Sequence, residues 1–187
     1  RANKDIVDHA FVELFVCLEV FNPAENVNKF VTGGVAEDVL TELIEKLGFP
    51  TVNVAATKTV VDIEVQIDDQ VIGISLKNSG GIDQQPILEN YRGESKAEIR
   101  DLPPTLIVYT EAKLKRARIV YIDHAILRKA YPTETTEEFN AIVYNKKAEG
   151  DKQSSLSFNP GFLKKFIPRL PDSYIVNATF PDQLPKV

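Results

Sequence analysis

The sequence predicts one α/β domain in which two amphipathic helices precede a series of β-strands. Residues 5–21 and 35–49 place their apolar side chains at helical spacing. From residue 51 the pattern changes to short Val- and Ile-rich segments bounded by turn residues, which is typical of strands. With 187 residues, 43% of them hydrophobic and 26% charged, the chain is long enough for a full core and has an ordinary globular composition.

The first predicted helix, residues 5–21, is expected to end at Asn22-Pro23, because proline cannot continue a helix. The second follows the glycine pair at 33 and 34 and is expected to end at Gly48, a residue type that commonly terminates helices.

Five strands are expected after these helices. Three lie within residues 51–57, 59–67 and 71–77, and the short connection Asp68-Asp69-Gln70 joins the last two as a hairpin. Two more lie within residues 105–110 and 117–123. Between these groups, residues 82–100 have a helical pattern that Pro86 and Gly93 weaken.

The remaining residues, 123–187, are interpreted as a C-terminal elaboration of the same single domain, which covers residues 1–187. A helix is predicted from residue 123 to 131, followed by a hairpin between residues 139–147 and 153–159. Residues 162–171 form a short basic helix or turn, and an extended tail follows.

The composition also indicates where the protein works. The apolar stretch at residues 10–21 contains Glu13 and Glu19 and is too short for a membrane span. The first nine residues lack the features of a secretory signal, and the single cysteine, Cys17, cannot form an internal disulfide. We therefore expect a cytoplasmic or other intracellular protein with no membrane contact.

Charged residues are grouped on the predicted hairpin. Side chains two residues apart share a face of a strand, so Asp62 and Glu64 point together, as do Ser75 and Lys77. Two nearby carboxylates are costly unless a cation neutralises them, and oxygen ligands of this type suit Mg²⁺. A lysine beside such a metal can orient or deprotonate a water and stabilise charge on a phosphate.

The order of helix, three strands, helix and strand, with Asp62 followed by a strand ending in x-x-Lys77, resembles the PD-(D/E)XK nuclease superfamily. The resemblance covers residues 33–122 and implies a restriction-endonuclease-like core with a central mixed β-sheet flanked by helices. It implies that Asp62 binds Mg²⁺, with Mn²⁺ as a substitute, and that Lys77 assists the hydrolytic water. Val61 stands where the pattern has proline, and Ser75 where it has an acidic residue.

Three glutamates are candidates to replace the acidic ligand missing at Ser75. Glu89 lies twelve positions after Lys77, and some restriction enzymes with a Ser-x-Lys motif recruit a glutamate from the following helix. Glu64 shares a strand face with Asp62. Glu37, near the start of the second helix, matches an auxiliary glutamate of many family members. It ranks third among the candidates, below Glu89 and Glu64.

The resemblance therefore implies a Mg²⁺-dependent endodeoxyribonuclease that hydrolyses DNA phosphodiesters. A type II restriction enzyme or a related phage or repair nuclease fits best, and a homodimer would suit symmetric cleavage of both strands. The alternative is a catalytically inactive nuclease-fold module that acts in nucleic-acid binding or assembly, since a lost acidic ligand is one way such a site decays. A third interpretation is an α/β interaction domain with a solvated acidic strand.

Charge is unevenly distributed along the chain. Residues 1–70 contain five Lys or Arg and thirteen Asp or Glu, whereas residues 112–187 contain thirteen and eight. Local basic clusters can attract phosphates, although solvated surfaces explain them equally well. Polar residues just after Lys77 are expected to lie in a loop, from which they could contact the DNA backbone or base edges. The candidate DNA contacts are Asn78, Ser79, Lys113, Lys115, Arg116, Lys164 and Lys165.

Overall fold

The fold was described from a computed structural model of the chain. The structure describes residues 2–20, 26–53, 61–79, 86–92, 102–111, 116–148 and 153–179. Its elements in chain order are α1 (Ala2–Val20), α2 (Asn26–Lys46), β1 (Thr51–Asn53), β2 (Ile63–Ile67), β3 (Gln70–Ser79), β4 (Ile87–Arg92), β5 (Thr105–Glu111), β6 (Arg116–Ile122), α3 (His124–Ala130), α4 (Thr136–Val143), β7 (Tyr144–Ala148), β8 (Gln153–Phe158), α5 (Phe162–Phe166) and β9 (Ile175–Thr179).

Six strands form a central mixed sheet in the order β1-β2-β3-β5-β6-β9. Neighbouring strands are antiparallel, except that β3 and β5 are parallel. A parallel pair requires a crossover connection, and the chain between these two strands supplies it and contains β4. The predicted α/β class, with a mixed sheet flanked by helices, is confirmed; the restriction-endonuclease-like topology stays a prediction.

Helices α1 and α2 cover one face of the central sheet. Their apolar side chains pack on strands β2, β3, β5 and β6 in one hydrophobic cluster. Burying each large apolar side chain contributes about 1.5–3 kcal/mol, so this cluster fixes α2 firmly against the sheet. Its largest members are Phe11, Leu14, Phe15, Leu40, Leu43, Ile63, Val65, Ile74, Leu76, Val108 and Ile119.

The opposite face is covered by helices α3–α5 and by a second, antiparallel sheet in the order β4-β8-β7. Aromatic side chains dominate this second cluster, among them Phe139, Tyr144, Phe158, Phe162 and Phe166. Because both faces of the central sheet are covered, adjacent residues of β5 are buried: Ile107 and Val108 are both 0% exposed.

The two N-terminal helices are confirmed, and both begin earlier than predicted: α1 begins at Ala2 and not at Asp5. Helix α2 begins at Asn26, so the glycine pair at 33 and 34 lies inside the helix and not before it. Packing of the apolar face outweighs the cost of helical glycine, which is about 1 kcal/mol per residue. The end at Gly48 is confirmed: its φ is 96°, and its N–H donates to Glu45 O at 2.8 Å. The predicted stop at Asn22-Pro23 lies outside the described residues.

The prediction of a helix within residues 82–100 is wrong for residues 87–92, which form strand β4. This strand pairs with β8, from Ile87 opposite Ser157 to Arg92 opposite Gln153. Leu88 is 5% exposed and its neighbour Ile87 is 46% exposed, as expected for a strand with one covered face. Long-range pairing therefore outweighed the local helical pattern.

A strand over residues 139–143 is also wrong, because these residues belong to α4. The helix begins with a capping box in which Thr135 Oγ1 accepts from Glu138 N and the Glu138 carboxylate accepts from Thr135 N. Its positions 139 and 143 are both buried on the helix face that meets the core. The hairpin itself is confirmed for β7 and β8, which pair antiparallel.

Strand β9 joins the central sheet beside β6, with Thr179 opposite Arg116. The C-terminal part of the chain thus contributes to the same sheet as the predicted core of residues 33–122. None of the helices in the described ranges combines the length and apolar character needed to cross a membrane.

The hairpin of β2 and β3 is confirmed with the expected connection. Ile67 and Gln70 pair across the turn formed by Asp68 and Asp69. Asp68 has a φ of 52°, a left-handed conformation that aspartate tolerates better than most residues, and its carbonyl accepts a hydrogen bond from Gln66 Nε2 at 2.6 Å. This turn fixes the register that brings the start of β2 beside the end of β3.

Candidate active site

The carboxylate of Asp62 is the centre of the candidate site. Asp62 lies at a bend one residue before β2. Its Oδ2 accepts hydrogen bonds from three consecutive residues of β3: from Ser75 Oγ at 3.0 Å, from the Leu76 backbone N at 2.6 Å and from Lys77 Nζ at 3.2 Å. The Asp62 N–H donates to Ile74 O at 3.0 Å. Backbone and side chain of Asp62 are therefore both held by β3.

The ion pair between Asp62 and Lys77 is shielded from solvent. The Lys77 and Asp62 side chains are 20% and 25% exposed, and Ser75 is 3% exposed. Hydrogen bonds to a charged group contribute about 1.5–3 kcal/mol, and partial burial reduces their screening by salt. The structure thus brings together Asp62, Ser75 and Lys77, three of the four residues that were singled out on the hairpin from the sequence.

Helix α2 places Glu37 beside this pair. Glu37 follows the buried Ala36 and lines a shallow pocket with Leu76, Lys77 and Asn78 of β3. Partial burial raises the pKa of the Glu37 carboxyl, the negative charge of Asp62 raises that pKa further, and the positive charge of Lys77 opposes the shift. Glu37, Asp62 and Lys77 therefore form one electrostatic cluster across two elements.

Asn78, another residue that lines this pocket, has a side-chain amide oxygen without a described hydrogen-bond partner. Asn78 Oδ1 is buried and has no hydrogen-bond partner among the described residues. A buried polar atom without a partner costs free energy, so Asn78 Oδ1 is a candidate acceptor for a cation or a polar group that the described residues do not supply. The loop expected directly after Lys77 is wrong for residues 78 and 79, because β3 continues through Ser79.

The neighbouring Ser79 is 7% exposed and lies opposite Tyr109 of β5. Thr110 Oγ1 donates to the Ser79 carbonyl at 3.4 Å. This burial does not favour the predicted contact between the Ser79 side chain and DNA.

Glu64 and Glu89, the two preferred candidates for the second metal ligand, are not connected to Asp62 by the described interactions. Glu64 is exposed on β2, opposite Gly73, and makes none of the hydrogen bonds that hold Asp62. Glu89 lies in β4 and pairs with Leu156 of the second sheet, so it is not on a helix as expected; its side chain lies outside the described part of the structure. Among the three candidates, Glu37 is the one that described interactions connect to Asp62.

The predicted basic contacts are dispersed. Lys113 and Lys115 lie outside the described residues, and Arg116 is exposed at the first position of β6. Lys164 and Lys165 are exposed on α5, whose opposite side buries Phe162, Leu163 and Phe166 in the second cluster. The described cations Arg116, Lys164 and Lys165 thus lie on β6 and α5, which are not the elements that carry Asp62 and Lys77.

Comparison with family models, with curated proteins and with solved structures finds no match to this chain. The functional interpretation therefore depends on the geometry of the site and on the motif in the sequence.

The donor set fits a divalent cation in part. Within the described residues no group of three His, Cys, Asp or Glu side chains is placed to hold a metal ion. Asp62 and Glu37 are two carboxylates in one electrostatic cluster, where burial first and the charge of Asp62 second raise the pKa of Glu37, and Asn78 of β3 has a buried uncharged oxygen without a partner among the described residues. Oxygen ligands of this kind are those that Mg²⁺ takes in proteins, usually with several waters completing its shell.

Proposed function

We propose that this protein is a Mg²⁺-dependent endodeoxyribonuclease with a restriction-endonuclease-like core. A type II restriction enzyme, or a related phage or repair nuclease acting as a homodimer on DNA, is the proposed setting. The observation that supports this proposal most strongly is the meeting of Asp62 and Lys77 on neighbouring strands, with Glu37 contributed by α2.

Asp62 and Glu37 are proposed to hold the cation, with Asn78 Oδ1 as an uncharged third ligand and Glu89 or Glu64 as an alternative second carboxylate. Mn²⁺ is expected to substitute. A bound Mg²⁺ supplies positive charge that stabilises a phosphoryl oxygen and favours ionisation of the attacking water.

Lys77 is proposed to act on the nucleophile. Its ammonium donates to Asp62 Oδ2, which fixes one direction of the side chain and leaves further N–H donors for a water or a phosphate oxygen. Developing negative charge on the phosphate is stabilised by a partly buried cation more strongly than it would be in bulk water. Ser75 supports this arrangement by donating to the same carboxylate oxygen.

The test is cleavage of supercoiled plasmid and mixed phage DNA in Mg²⁺, Mn²⁺ or a chelator, comparing the native protein with Lys77→Ala. Lys46→Ala is the matched control, because Lys46 is an exposed lysine of α2 that pairs with Glu42. We expect metal-dependent cleavage that the Lys77 variant loses and the Lys46 variant keeps. Equal cleavage by the native protein and Lys77→Ala would contradict the proposal.

One observation favours the alternative, a catalytically inactive nuclease-fold module. Oδ2 of Asp62 already receives three donors, and one of them is the Ser75 hydroxyl at the position where the family pattern has a carboxylate. Such a network is stable without a cation. An inactive module should show no Mg²⁺- or Mn²⁺-dependent rise in melting temperature, whereas a metal-binding site raises it in proportion to the logarithm of metal concentration.

A further inference from the structure

The bend at Asp62 brings the side chain of the preceding residue, Val61, over Gly73 of β3. A methyl group added at Gly73 would lie 2.9 Å from Val61 Cγ2 and 3.1 Å from Val61 Cγ1. Carbon atoms in protein interiors meet at about 3.5–4.0 Å, so any side chain at position 73 would displace Val61. Gly73 does not have a positive φ. The position therefore requires glycine for space and not for backbone conformation.

Both partners of this contact adjoin the atoms that hold Asp62. Val61 directly precedes Asp62, and Gly73 directly precedes Ile74, whose carbonyl accepts from the Asp62 N–H. Valine is branched at Cβ and stiff about χ1, so it cannot swing aside as a long side chain does. A displacement of Val61 is transmitted to the backbone at Asp62. The 2.6 Å hydrogen bond from Leu76 N to Asp62 Oδ2 would be the first to change.

We propose that Gly73 is a positioning residue of the active site, which acts by leaving room for Val61, so that the chain takes the bend that directs the Asp62 carboxylate at Leu76 N and Lys77. The inference rests on the proposed function for its catalytic meaning, but its geometric part is independent of catalysis.

A double-mutant cycle tests the proposal, using Gly73→Ala, Val61→Ala and the double variant. Removing the two Cγ atoms of Val61 makes room for the methyl group at 73, so the double variant should recover what Gly73→Ala loses. Gly34→Ala is the matched control, because a methyl group there meets nothing within 4 Å and Gly34 lies on α2, three residues before Glu37.

Two measurements are made on each variant. The first is the hydrogen-exchange protection of the Leu76 backbone amide by NMR, which reports the hydrogen bond from this amide to Asp62 Oδ2. The second is kcat for Mg²⁺-dependent DNA cleavage. Gly73→Ala should reduce the exchange protection of the Leu76 amide and lower kcat about tenfold or more. Val61→Ala in the same chain should restore both, and Gly34→Ala should change neither.

The outcomes separate this inference from the proposed function. A folded Gly73→Ala variant with native exchange protection at Leu76 overturns the inference, as does a folded double variant that recovers nothing. If Gly73→Ala does not fold, the double variant compared with Val61→Ala carries the test, and only equal protection of the Leu76 amide supports the inference. If the native protein cleaves no DNA but the Leu76 protection is lost and restored as expected, the positioning role stands and the nuclease function is rejected.

Discussion

The substitution Ser75→Asp, which places a second carboxylate beside Asp62, should make the stability of the protein depend strongly on metal. Ser75 is 3% exposed and its Oγ lies 3.0 Å from Asp62 Oδ2, so the new carboxylate would lie against an existing one in a buried position. Two like charges ~4 Å apart in a medium of effective dielectric constant ~20 repel by about 4 kcal/mol. The substitution also removes a donor to Asp62, while Lys77 offsets part of the repulsion. We expect a net loss of about 3 kcal/mol in the free energy of unfolding without metal.

Mg²⁺ should restore much of this loss, because it binds the folded state and neutralises both carboxylates. At ~100 times its dissociation constant, a ligand of the folded state adds about 2.7 kcal/mol. The assay is urea unfolding in chelator and in Mg²⁺, with Ser75→Asn as a control that has nearly the same size and no charge. The reasoning is refuted if the aspartate and asparagine variants lose equal stability in chelator, or if Mg²⁺ raises both unfolding midpoints equally.

Two further predictions concern the partners of Asp62. The pKa of Glu37 is raised in the folded protein, so the folded state favours the protonated carboxyl. The free energy of unfolding therefore falls as the pH rises through this pKa and Glu37 ionises. Glu37→Gln should therefore raise the melting temperature of the metal-free protein at pH 7 and not at a pH below the ordinary glutamate pKa. An equal rise at the two pH values would show that ionisation of Glu37 is not the cause. Lys77→Met should abolish cleavage and yet tighten the binding of Mn²⁺, because the Lys77 ammonium and the metal ion compete for the Asp62 carboxylate. Titration calorimetry measures this affinity, and weaker Mn²⁺ binding by the variant would contradict the competition.

The hairpin that carries Asp62 and Lys77 could be predicted because its determinants are local. Apolar residues alternate along both strands, and the two aspartates of the connection favour a tight turn, which together fix the register. Strand β4 could not be predicted in this way, since its partner β8 is some sixty residues away in the sequence and decides its conformation. In contrast, the capping box of Thr135 and Glu138 is a local signal for the start of α4, and the prediction of a strand over residues 139–143 overlooked it.

The sequence identifies Glu37 as a candidate ligand but ranks it below Glu64 and Glu89, and the order of the three could not be established from the sequence. The apolar residues Ala36 and Leu40 identify the covered face of α2, but they do not indicate which strand end lies beneath that face. The contact depends on how α2 packs across the sheet, which brings Glu37 to the end of β3 beside Lys77. Glu64 was favoured because strand alternation was extended to Asp62, whereas the chain bends there before β2 begins.

The place of β9 beside β6 has a consequence for the nascent chain. The hairpin of β2 and β3 closes a short loop, so its formation costs little conformational entropy. The pairing of Thr179 with Arg116 closes a much longer loop and therefore forms more slowly. Until residues 175–179 have left the ribosome, β6 presents an open edge of unpaired amides and carbonyls. Such an edge is a template for pairing with another chain, and β9 replaces the seven-residue edge of β6 with its own edge of five residues. Its arrival therefore shortens the edge at which newly made molecules associate with one another.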